Sequence, residues 1–475
     1  MSTLKTNNIE HLDASSPSIQ LGIGGGINVS GIVTATRFDG NITGNVTGDV
    51  TGNVTGNINS SGISTLSNVV VGGATTELVV TGDARITGIL TVGTASVTLN
   101  GTDGTITGIN TINGLTYPSA GPLSNRNLII NGAMQVAQRG TEYTGATNGS
   151  TSYRVCDRWR FGEHGSPTAV FTLSQSTTAP DDFKNSYKYD VTTAQSSLAD
   201  GDVVYFETKV EGQNVDQLAY GTSSAKSFTL SFYVKSSIAG TFVVWFYNPN
   251  GNLACTHTYT VNATDTWERK SITVAGDTSN SLNNGTNVGL QFRFILGAGT
   301  NFTSGTASTT WGTSSMTNAN RYVGQTVNIA NSLSDEWLIT GVQLEVGTRA
   351  TPFEHRSYGD ELARCQRYYY KLIADTGDTF ANGYNQNTTS TRNILHFPVT
   401  MRVAPTSLEQ TGTAANYRVL HGTTVRTCSA APTLNASTVN TGEVQATTAD
   451  GLTAGQGNAL ESNSNGTYLA FTAEL

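Results

Sequence analysis

Three pairs of adjacent carboxylates have the residue types that acid–base chemistry requires: Asp181–Asp182, Asp335–Glu336 and Asp360–Glu361. Hydrolysis of a glycosidic bond uses two carboxyl groups that face each other across a cleft at roughly 5–9 Å. Neighbours in sequence do not establish that geometry, and Asp360–Glu361 has the simpler expected role of stabilising a helix N-terminus. The pairs therefore do not indicate a glycosidase, and we expect a protein that is not an enzyme.

Residues for nucleophilic, metal-dependent or nucleotide chemistry are also missing from the sequence. There is no GxSxG, HExxH, phosphate-binding loop or CxxC motif, and the glycine-rich segment 22–27 precedes no βαβ pattern. The histidines are scattered, and we expect each at the surface or in a turn: His11, His164, His257, His355, His396 and His421. The cysteines are more than 60 positions apart, which favours reduced thiols and assembly in cytoplasm: Cys156, Cys255, Cys365 and Cys428. The sequence predicts no cofactor and no metal.

Two aromatic residues in polar surroundings are candidates for binding a sugar. A pyranose packs against an exposed aromatic face, and nearby amides or carboxylates bind its hydroxyls. Trp311 lies in the segment TTWGT and Tyr384 lies in NGYNQ, both too polar for an obvious core strand. Trp159, Trp245 and Trp337 lie in apolar strand patterns instead, and we expect them in the core. Trp311 and Tyr384 are therefore the predicted glycan contacts.

Composition indicates a β-rich protein of two or three domains. The chain has 475 residues, of which 52 are glycine, and only 13% are charged. A formal net charge of −8 argues against nucleic acid or an anionic membrane surface as the main partner. No run approaches the roughly 20 apolar residues of a membrane span, and the first residues show no signal peptide. We therefore expect neither nucleic-acid binding nor membrane insertion.

A repeat of four residues marks the N-terminal part of the chain. Five tetrads begin at Gly40, and their aliphatic residues recur in strict phase: Ile42, Val46, Val50, Val54 and Ile58. Glycine every fourth residue excludes a helix, so the stretch is extended with the glycines and aliphatics on one face. Burying five such side chains yields on the order of 10 kcal/mol. Fixing the backbone of about nineteen residues in one conformation costs roughly 20–40 kcal/mol in conformational entropy. The tetrads therefore predict an intertwined β shaft built from several chains; a flexible Gly/Thr/Asn linker is the alternative.

Runs rich in β-branched and aromatic residues follow from Arg126 onward. Strands are predicted at residues 127–130, 153–161, 169–173, 203–210, 228–234, 242–247, 256–261, 270–274, 289–295 and 337–344. Asn248–Gly251 predicts a hairpin turn. One helix is predicted over Asp360–Leu372, because Leu362, Cys365, Tyr369 and Leu372 form an apolar stripe. This pattern indicates a β-sandwich or jelly roll. Thr/Asn-rich residues 372–475 form a smaller β domain, with strands predicted at 393–403, 418–420, 443–447 and 468–472.

Several blocks in the second half resemble the receptor-facing domain of tail fibres from tailed phages. The blocks are NLIINGAMQVAQRG from Asn127, DRW from Asp157, ITGVQLEVG from Ile339, TPFE from Thr351 and ELARCQRYY from Glu361. The tetrads, and four GI-x-T repeats at Gly31, Gly62, Gly88 and Gly108, are similar to shaft repeats in fibres of phages that infect marine cyanobacteria. The resemblance implies a homotrimer, a distal β knob, a virion location and a role in host adsorption.

Together these observations predict an all-β protein with four parts. Residues 1–30 attach to the virion, 31–125 form a trimeric β shaft of the β-prism or triple β-helix type, 126–371 form a jelly-roll-like knob ending in a short helix, and 372–475 form the C-terminal β domain. The expected partners are tail or capsid proteins at the N-terminus and host polysaccharide or lipopolysaccharide at the knob. The alternatives are a capsid-attached fibre or decoration protein and, less favoured, a tailspike that cuts polysaccharide.

Overall fold

The computed structural model describes residues 124–150 and 152–475, together with five short strands ahead of them. These strands are β1 (Ile89–Thr91), β2 (Thr98–Asn100), β3 (Thr105–Thr107), β4 (Thr111–Ile112) and β5 (Leu115–Thr116). β1, β2 and β3 pair antiparallel in that order, and β4 pairs with β5. The predicted shaft residues Ile42, Val46, Val50, Val54 and Ile58, and the predicted attachment segment 1–30, lie outside the described residues.

Two six-stranded antiparallel sheets form a sandwich. Sheet one contains β6 (Glu142–Ala146), β9 (Val170–Ser176), β10 (Ser186–Thr193), β12 (Phe228–Ser236), β15 (Glu268–Val274) and β17 (Glu336–Val346), in the order β15-β12-β17-β10-β9-β6. Sheet two contains β7 (Ser152–Tyr153), β8 (Arg160–His164), β11 (Val203–Glu211), β13 (Gly240–Asn248), β14 (Leu253–Val261) and β16 (Val288–Ala298), in the order β14-β13-β16-β11-β8-β7. Most of the predicted sandwich strands are confirmed, as is the β13–β14 hairpin.

Two of the predicted strands in this region are wrong. Residues 127–130 do not form a strand. The Asn127 side chain donates to the Val342 carbonyl and accepts from the Leu344 N–H, and these bonds replace strand pairing. The predicted strand 153–161 is broken between β7 and β8, where Arg158 adopts a left-handed φ of 72°. Both interruptions fall within the resemblance blocks.

Aromatic side chains fill the space between the two sheets. Trp159 stacks on Phe206 with ring centroids 4.7 Å apart, and Trp337 contacts Phe206 edge-on at 5.7 Å. Trp159 and Trp337 are fully buried, and Trp245 is 3% exposed, which confirms the core prediction for all three. Trp245 belongs to a second cluster on the other face of sheet two, where its indole N–H donates to the Ser315 carbonyl at 3.1 Å.

Seven single-turn 3₁₀ helices lie in the described part of the chain, at Asn148–Ser150, Gly212–Asn214, Asp216–Leu218, Thr300–Phe302, Ser314–Met316, Asn318–Asn320 and Ala414–Asn416. The α-helix of the described residues, α1, spans Tyr358–Gln366 and is capped by Ser357, whose hydroxyl accepts from the Asp360 N–H. The predicted helix over 360–372 is therefore too long. Its second half is strand β18 (Tyr369–Ala374), because this segment pairs with β26 (Thr467–Thr472), about a hundred residues further on.

The C-terminal part combines a small sheet with a closed barrel. β18 and β21 (Leu408–Gln410) flank β26 in a three-stranded antiparallel sheet. The barrel order is β19 (Thr379–Asn385), β20 (Thr391–His396), β24 (Thr441–Thr448), β23 (Thr424–Ser437), β22 (Tyr417–His421) and β25 (Gly457–Ser462). Its interior is filled by Phe380, Tyr417, Val444 and Leu460. The all-β prediction is thus confirmed for the described residues.

Buried polar contacts tie Glu474 and Leu475 to the sandwich. Arg158 forms an ion pair with Glu474, and both side chains are less than a tenth exposed. The Lys209 ammonium donates to the Leu475 carbonyl at 2.8 Å, and the Tyr153 hydroxyl donates to the same oxygen at 3.1 Å. These contacts fix the three-stranded sheet, which includes β26, beside the edge strands of the sandwich.

Candidate carbohydrate-binding groove

The segment that follows β17 is held by a buried hydrogen-bond network. The Glu345 carboxylate accepts from the Thr351 N–H at 2.8 Å and from the Thr351 hydroxyl at 2.7 Å. The Gln343 side chain accepts from the Glu354 N–H at 2.8 Å. The Glu354 carboxylate accepts from the N–H of Asn127 at 2.9 Å. Burial alone would raise the pKa of Glu354, but these backbone donors and nearby arginines hold it below its ordinary value. The resemblance blocks therefore act here as a scaffold.

A β-bulge in β17 brings the scaffold close to an aromatic ring. Register shifts where β12 pairs with β17, and Gly341 has a left-handed φ of 61°. A Cβ atom at Gly341 would lie 2.7 Å from Phe183 and 2.9 Å from Tyr233. Only glycine combines this backbone conformation with this close approach.

Four half-exposed or exposed rings form one cluster above the bulge. The Phe183 ring centroid lies 5.4 Å from Tyr233, 5.0 Å from Phe353 and 5.2 Å from His355. Phe353 and His355 are 4.9 Å apart. Their ring planes are inclined to one another by 39–74°, so several faces point in different directions.

These rings line an open groove of about 550 Å³ with a polar rim. The rim carries Asp182, which is exposed, and Arg269 on the edge strand β15. The Arg269 guanidinium donates to the Thr351 carbonyl, which orients it beside the rings. Aromatic faces bordered by a carboxylate and a guanidinium suit a sugar ring, whose C–H face is apolar and whose hydroxyls both donate and accept. We call this site the aromatic groove, defined by Asp182, Phe183, Tyr233, Arg269, Pro352, Phe353 and His355.

Trp311, a predicted glycan contact, is half-buried against the sandwich core. Its indole N–H donates to the Ala275 carbonyl at 3.0 Å, and its ring meets Tyr220 edge-on at 5.8 Å. The adjacent Gly312 pairs with Ala254 of edge strand β14. Part of the Trp311 ring is therefore engaged within the protein.

Tyr384, the other predicted contact, is 53% exposed on barrel strand β19. It pairs with Arg392 and Gly457 in the barrel. Trp311 packs on the sandwich and Tyr384 lies on the barrel, and neither lines the aromatic groove. The role of both residues in glycan binding stays a prediction.

Sequence reasoning missed the aromatic groove because its rings come from three separate segments. Phe183 lies in the loop before β10, Tyr233 on β12, and Phe353 and His355 in the segment between β17 and α1. One signal was available: Pro352, Phe353 and His355 place two rings in a polar stretch, as at Trp311 and Tyr384. The bulge at Gly341, which brings Phe183 to them, is not readable from spacing.

The adjacent carboxylates have structural roles or are exposed. Asp182 is exposed in a turn. Asp335 accepts from the Ser332 N–H at 2.7 Å, and Asp360 accepts from the Ser357 hydroxyl at 2.7 Å at the start of α1. The predicted role of Asp360 at a helix N-terminus is confirmed.

A different carboxyl group, Glu163, has a strongly raised pKa but is buried away from the aromatic groove. Burial, with the neighbouring Asp202 charge, raises the pKa of Glu163 to about 8. Asp202 accepts from the N–H groups of Ser166 at 2.8 Å and Ala199 at 3.1 Å. Glu163 is 6% exposed and Asp202 is 2% exposed, and neither lines the aromatic groove.

The thiols and histidines show no metal-binding arrangement within the described residues, where no group of three or more His, Cys, Asp or Glu could hold a metal ion. All four cysteines are unpaired and buried, and burial raises the pKa of Cys428 to about 12. The surface prediction is wrong for His421, which is 7% exposed in the barrel and contacts the Gln456 amide oxygen at 3.1 Å.

The part of the chain that the structure describes contains no helix with the length and apolar character that a bilayer crossing needs.

Comparison with known proteins gives similarity only at the level of solved structures. No family model matches the chain, and no curated protein matches it. The tailspike protein 4 enzymatic domain of bacteriophage CBA120 is 11% identical, with a TM-score of 0.25 over 46% of this chain and 21% of that chain. A family 11 carbohydrate-binding module from Clostridium thermocellum, solved with a mixed-linked tetrasaccharide, is 11% identical, with a TM-score of 0.21 over 45% of this chain and 98% of that chain.

A third similar structure is the xylan-binding domain CBM22-1 from Paenibacillus barcinonensis, which is 12% identical, with a TM-score of 0.20 over 45% of this chain and 100% of that chain. The chain thus spans about a fifth of the tailspike domain and the whole of this module. These neighbours are a tailspike domain and carbohydrate-binding modules, and at these TM-scores they assign no function to the chain.

Proposed function

We propose that this protein is a non-enzymatic virion fibre whose β-sandwich binds surface polysaccharide through the aromatic groove. The observation that carries the proposal is the cluster of Phe183, Tyr233, Phe353 and His355, four rings that are half-exposed or exposed at one groove. Aromatic residues in a soluble domain are normally buried, so a cluster open to solvent indicates a binding surface.

The groove is built to bind a sugar without rearranging. Phe353 and His355 lie on a segment fixed by the Gln343 and Glu345 network, and Phe183 is fixed by its contact with the backbone at Gly341. A preorganised site avoids the entropy cost of ordering its side chains when ligand binds. A single shallow groove still binds weakly, and we infer that a fibre compensates by presenting several copies on one axis.

The fibre context rests on the tetrads between Gly40 and Ile58 and on the resemblance blocks. In this proposal the shaft is a homotrimer, the N-terminal residues attach to the tail, and the sandwich is distal. A capsid-attached fibre or decoration protein is the alternative. Antibody against the sandwich, imaged on purified particles, distinguishes the two, since label on the tail supports a tail fibre and label on the head supports a capsid-attached protein.

Sedimentation of the full chain tests the trimer, and a monomer folded along its whole length contradicts it.

The binding test uses the full-length protein on an array of defined neutral oligosaccharides, among them β-glucans, galactans and xylans. Phe353→Leu removes one ring of the groove and retains apolar bulk. We expect it to weaken binding about ten-fold, since a lost ring contact is worth on the order of 1 kcal/mol or more. Tyr384→Ala tests the barrel in parallel, and Leu333→Ala, at a side chain 63% exposed elsewhere, is the control.

Three outcomes are decisive. Loss of binding in Phe353→Leu with retention in Leu333→Ala supports the groove. Loss in Tyr384→Ala alone moves the binding site to the barrel and refutes the groove. Binding to no oligosaccharide, or shortening of the array glycans during incubation, refutes a non-enzymatic sugar-binding protein.

A further inference from the structure

A second recess lies where the sandwich meets the three-stranded sheet, and its lining differs from that of the aromatic groove. This recess, the inter-sheet cleft, has a volume of about 490 Å³. It runs between edge strands β6 and β7 of the sandwich and strands β18, β21 and β26. Its principal side chains are Arg139, Tyr143, Arg154, Lys371, Glu409 and Tyr468. It therefore combines cations with aromatic rings.

Each cation of the inter-sheet cleft lies over a tyrosine ring. The distance from the charged group to the ring centroid is 3.6 Å for Arg139 and Tyr369, 4.5 Å for Arg154 and Tyr143, and 4.2 Å for Lys371 and Tyr468. Such stacking holds a long basic side chain in place over an aromatic face. The cations are thus positioned in advance of any ligand.

The charges that line the cleft do not cancel. Arg139 has a carboxylate partner in Glu474 at 3.3 Å. Lys371, in contrast, has no carboxylate oxygen within 4.0 Å among residues 124–150 and 152–475. Glu409 is the acidic side chain of the lining, and it accepts from the Tyr369 hydroxyl at 3.0 Å. The Arg139 charge is offset by Glu474, so Lys371 is the cation of the lining that an incoming anion would pair with, on a chain whose net charge is −8.

The environment of Lys371 shows what a ligand would supply. Lys371 is half-buried, and its ammonium group donates to the Arg139 carbonyl at 3.5 Å. Burial lowers the pKa of Lys371, the Arg139 charge lowers it further, and Glu409 opposes both effects. The ammonium group of a half-buried lysine without an ion pair is stabilised by an anion that enters the cleft.

We infer that the inter-sheet cleft binds one anionic sugar unit of an acidic polysaccharide, with the acid group on Lys371. The ring of that unit lies among Tyr143 and Tyr468, and Glu409 accepts from a ring hydroxyl. A sugar carboxylate and a sugar sulfate ester share this chemistry. The inference extends the proposed function to a ligand class, but it rests on the charges of the cleft and not on the aromatic groove.

The experiment measures binding of three trisaccharide-sized probes to the full chain by calorimetry: trigalacturonate, a sulfated galactan oligosaccharide and neutral galactotriose. We expect at least one acidic probe to bind about ten-fold or more tightly than galactotriose, and the stronger of the two identifies the acid group. Lys371→Met keeps the aliphatic stem and should weaken acidic binding about ten-fold or more, since a hydrogen bond to a charged group contributes about 1.5–3 kcal/mol. Lys371→Arg should retain it.

Two further variants keep the test independent of folding. Lys226→Met removes one exposed lysine away from the cleft, and we expect acidic binding to change less than two-fold. Glu409→Gln removes the lining carboxylate but still accepts from Tyr369, so affinity for the acidic probe should rise. Equal affinity for acidic and neutral probes, or unchanged binding in Lys371→Met, overturns the inference. Phe353→Leu separates the two sites, because it should weaken neutral binding and leave acidic binding unchanged.

Discussion

Removing the Glu474 carboxylate should lower the free energy of unfolding, because Glu474 joins the C-terminal part to the sandwich through a buried ion pair. Glu474 pairs with Arg158, whose side chain is 2% exposed, and with Arg139 at 3.3 Å. In Glu474→Ala the Arg158 guanidinium remains buried without its counter-ion, a change that costs about 3–5 kcal/mol. Arg158 keeps a bond to the Lys209 carbonyl at 2.8 Å and its stacking on Tyr368 at 3.7 Å. We therefore expect a loss near the lower end, about 3 kcal/mol.

Urea unfolding followed by tryptophan fluorescence measures this loss. All five tryptophans lie between residues 159 and 337, so their fluorescence reports on the sandwich, and far-ultraviolet circular dichroism reports on both parts. Glu443→Ala is the control, because its pair with Arg392 is about a quarter exposed and contributes less than about 1 kcal/mol. A loss below 1 kcal/mol in Glu474→Ala would refute the reasoning. Adding Arg158→Met to Glu474→Ala should recover part of the stability, because it removes the unpaired charge.

Two further changes test the buried Glu163 carboxyl and the bulge. The pKa of Glu163 is about 8 in the folded chain and near 4.5 when unfolded, so the native state loses stability as pH rises between these values. Glu163→Gln should abolish that loss and be more stable than wild type at pH 8 by at least about 1.4 kcal/mol; identical pH profiles in thermal unfolding would contradict the shift. Gly341→Ala should cost about 1–3 kcal/mol, because it strains the left-handed backbone and displaces Phe183. Neutral-sugar binding should fall with it, and unchanged stability would show that the bulge relaxes freely.

The strands of the sandwich were predictable because their signal is local. β11, β12 and β16 carry runs of β-branched and aromatic residues that are buried on one or both faces. Strand β18 was mistaken for helix because its 3–4 spacing of apolar residues continues that of α1, while its pairing partner β26 is remote in sequence. Tertiary pairing overrode the local pattern there.

The site was less predictable than the fold, because chemistry depends on which segments meet. The recognisable blocks point to Asn127, Gln343, Glu345 and Glu354, which form the supporting network and not the exposed surface. The rings of the aromatic groove have no shared motif. Lys371 falls within the segment predicted as helix. Its contact with the Tyr468 ring depends on the pairing of β18 with β26, which the local sequence does not indicate.

Both outer edges at one end of the sandwich are protected against pairing with another molecule. Edge strand β15 begins with Glu268, Arg269 and Lys270, and burial of Glu268 is outweighed by Lys270 and nearby N–H donors, which lower its pKa to about 2. Edge strand β14 is covered instead, because Ala254 pairs with Gly312. Exposed strand edges otherwise template aggregation. A strand of another molecule therefore meets charged side chains at the β15 edge and a covered backbone at Ala254 on the β14 edge.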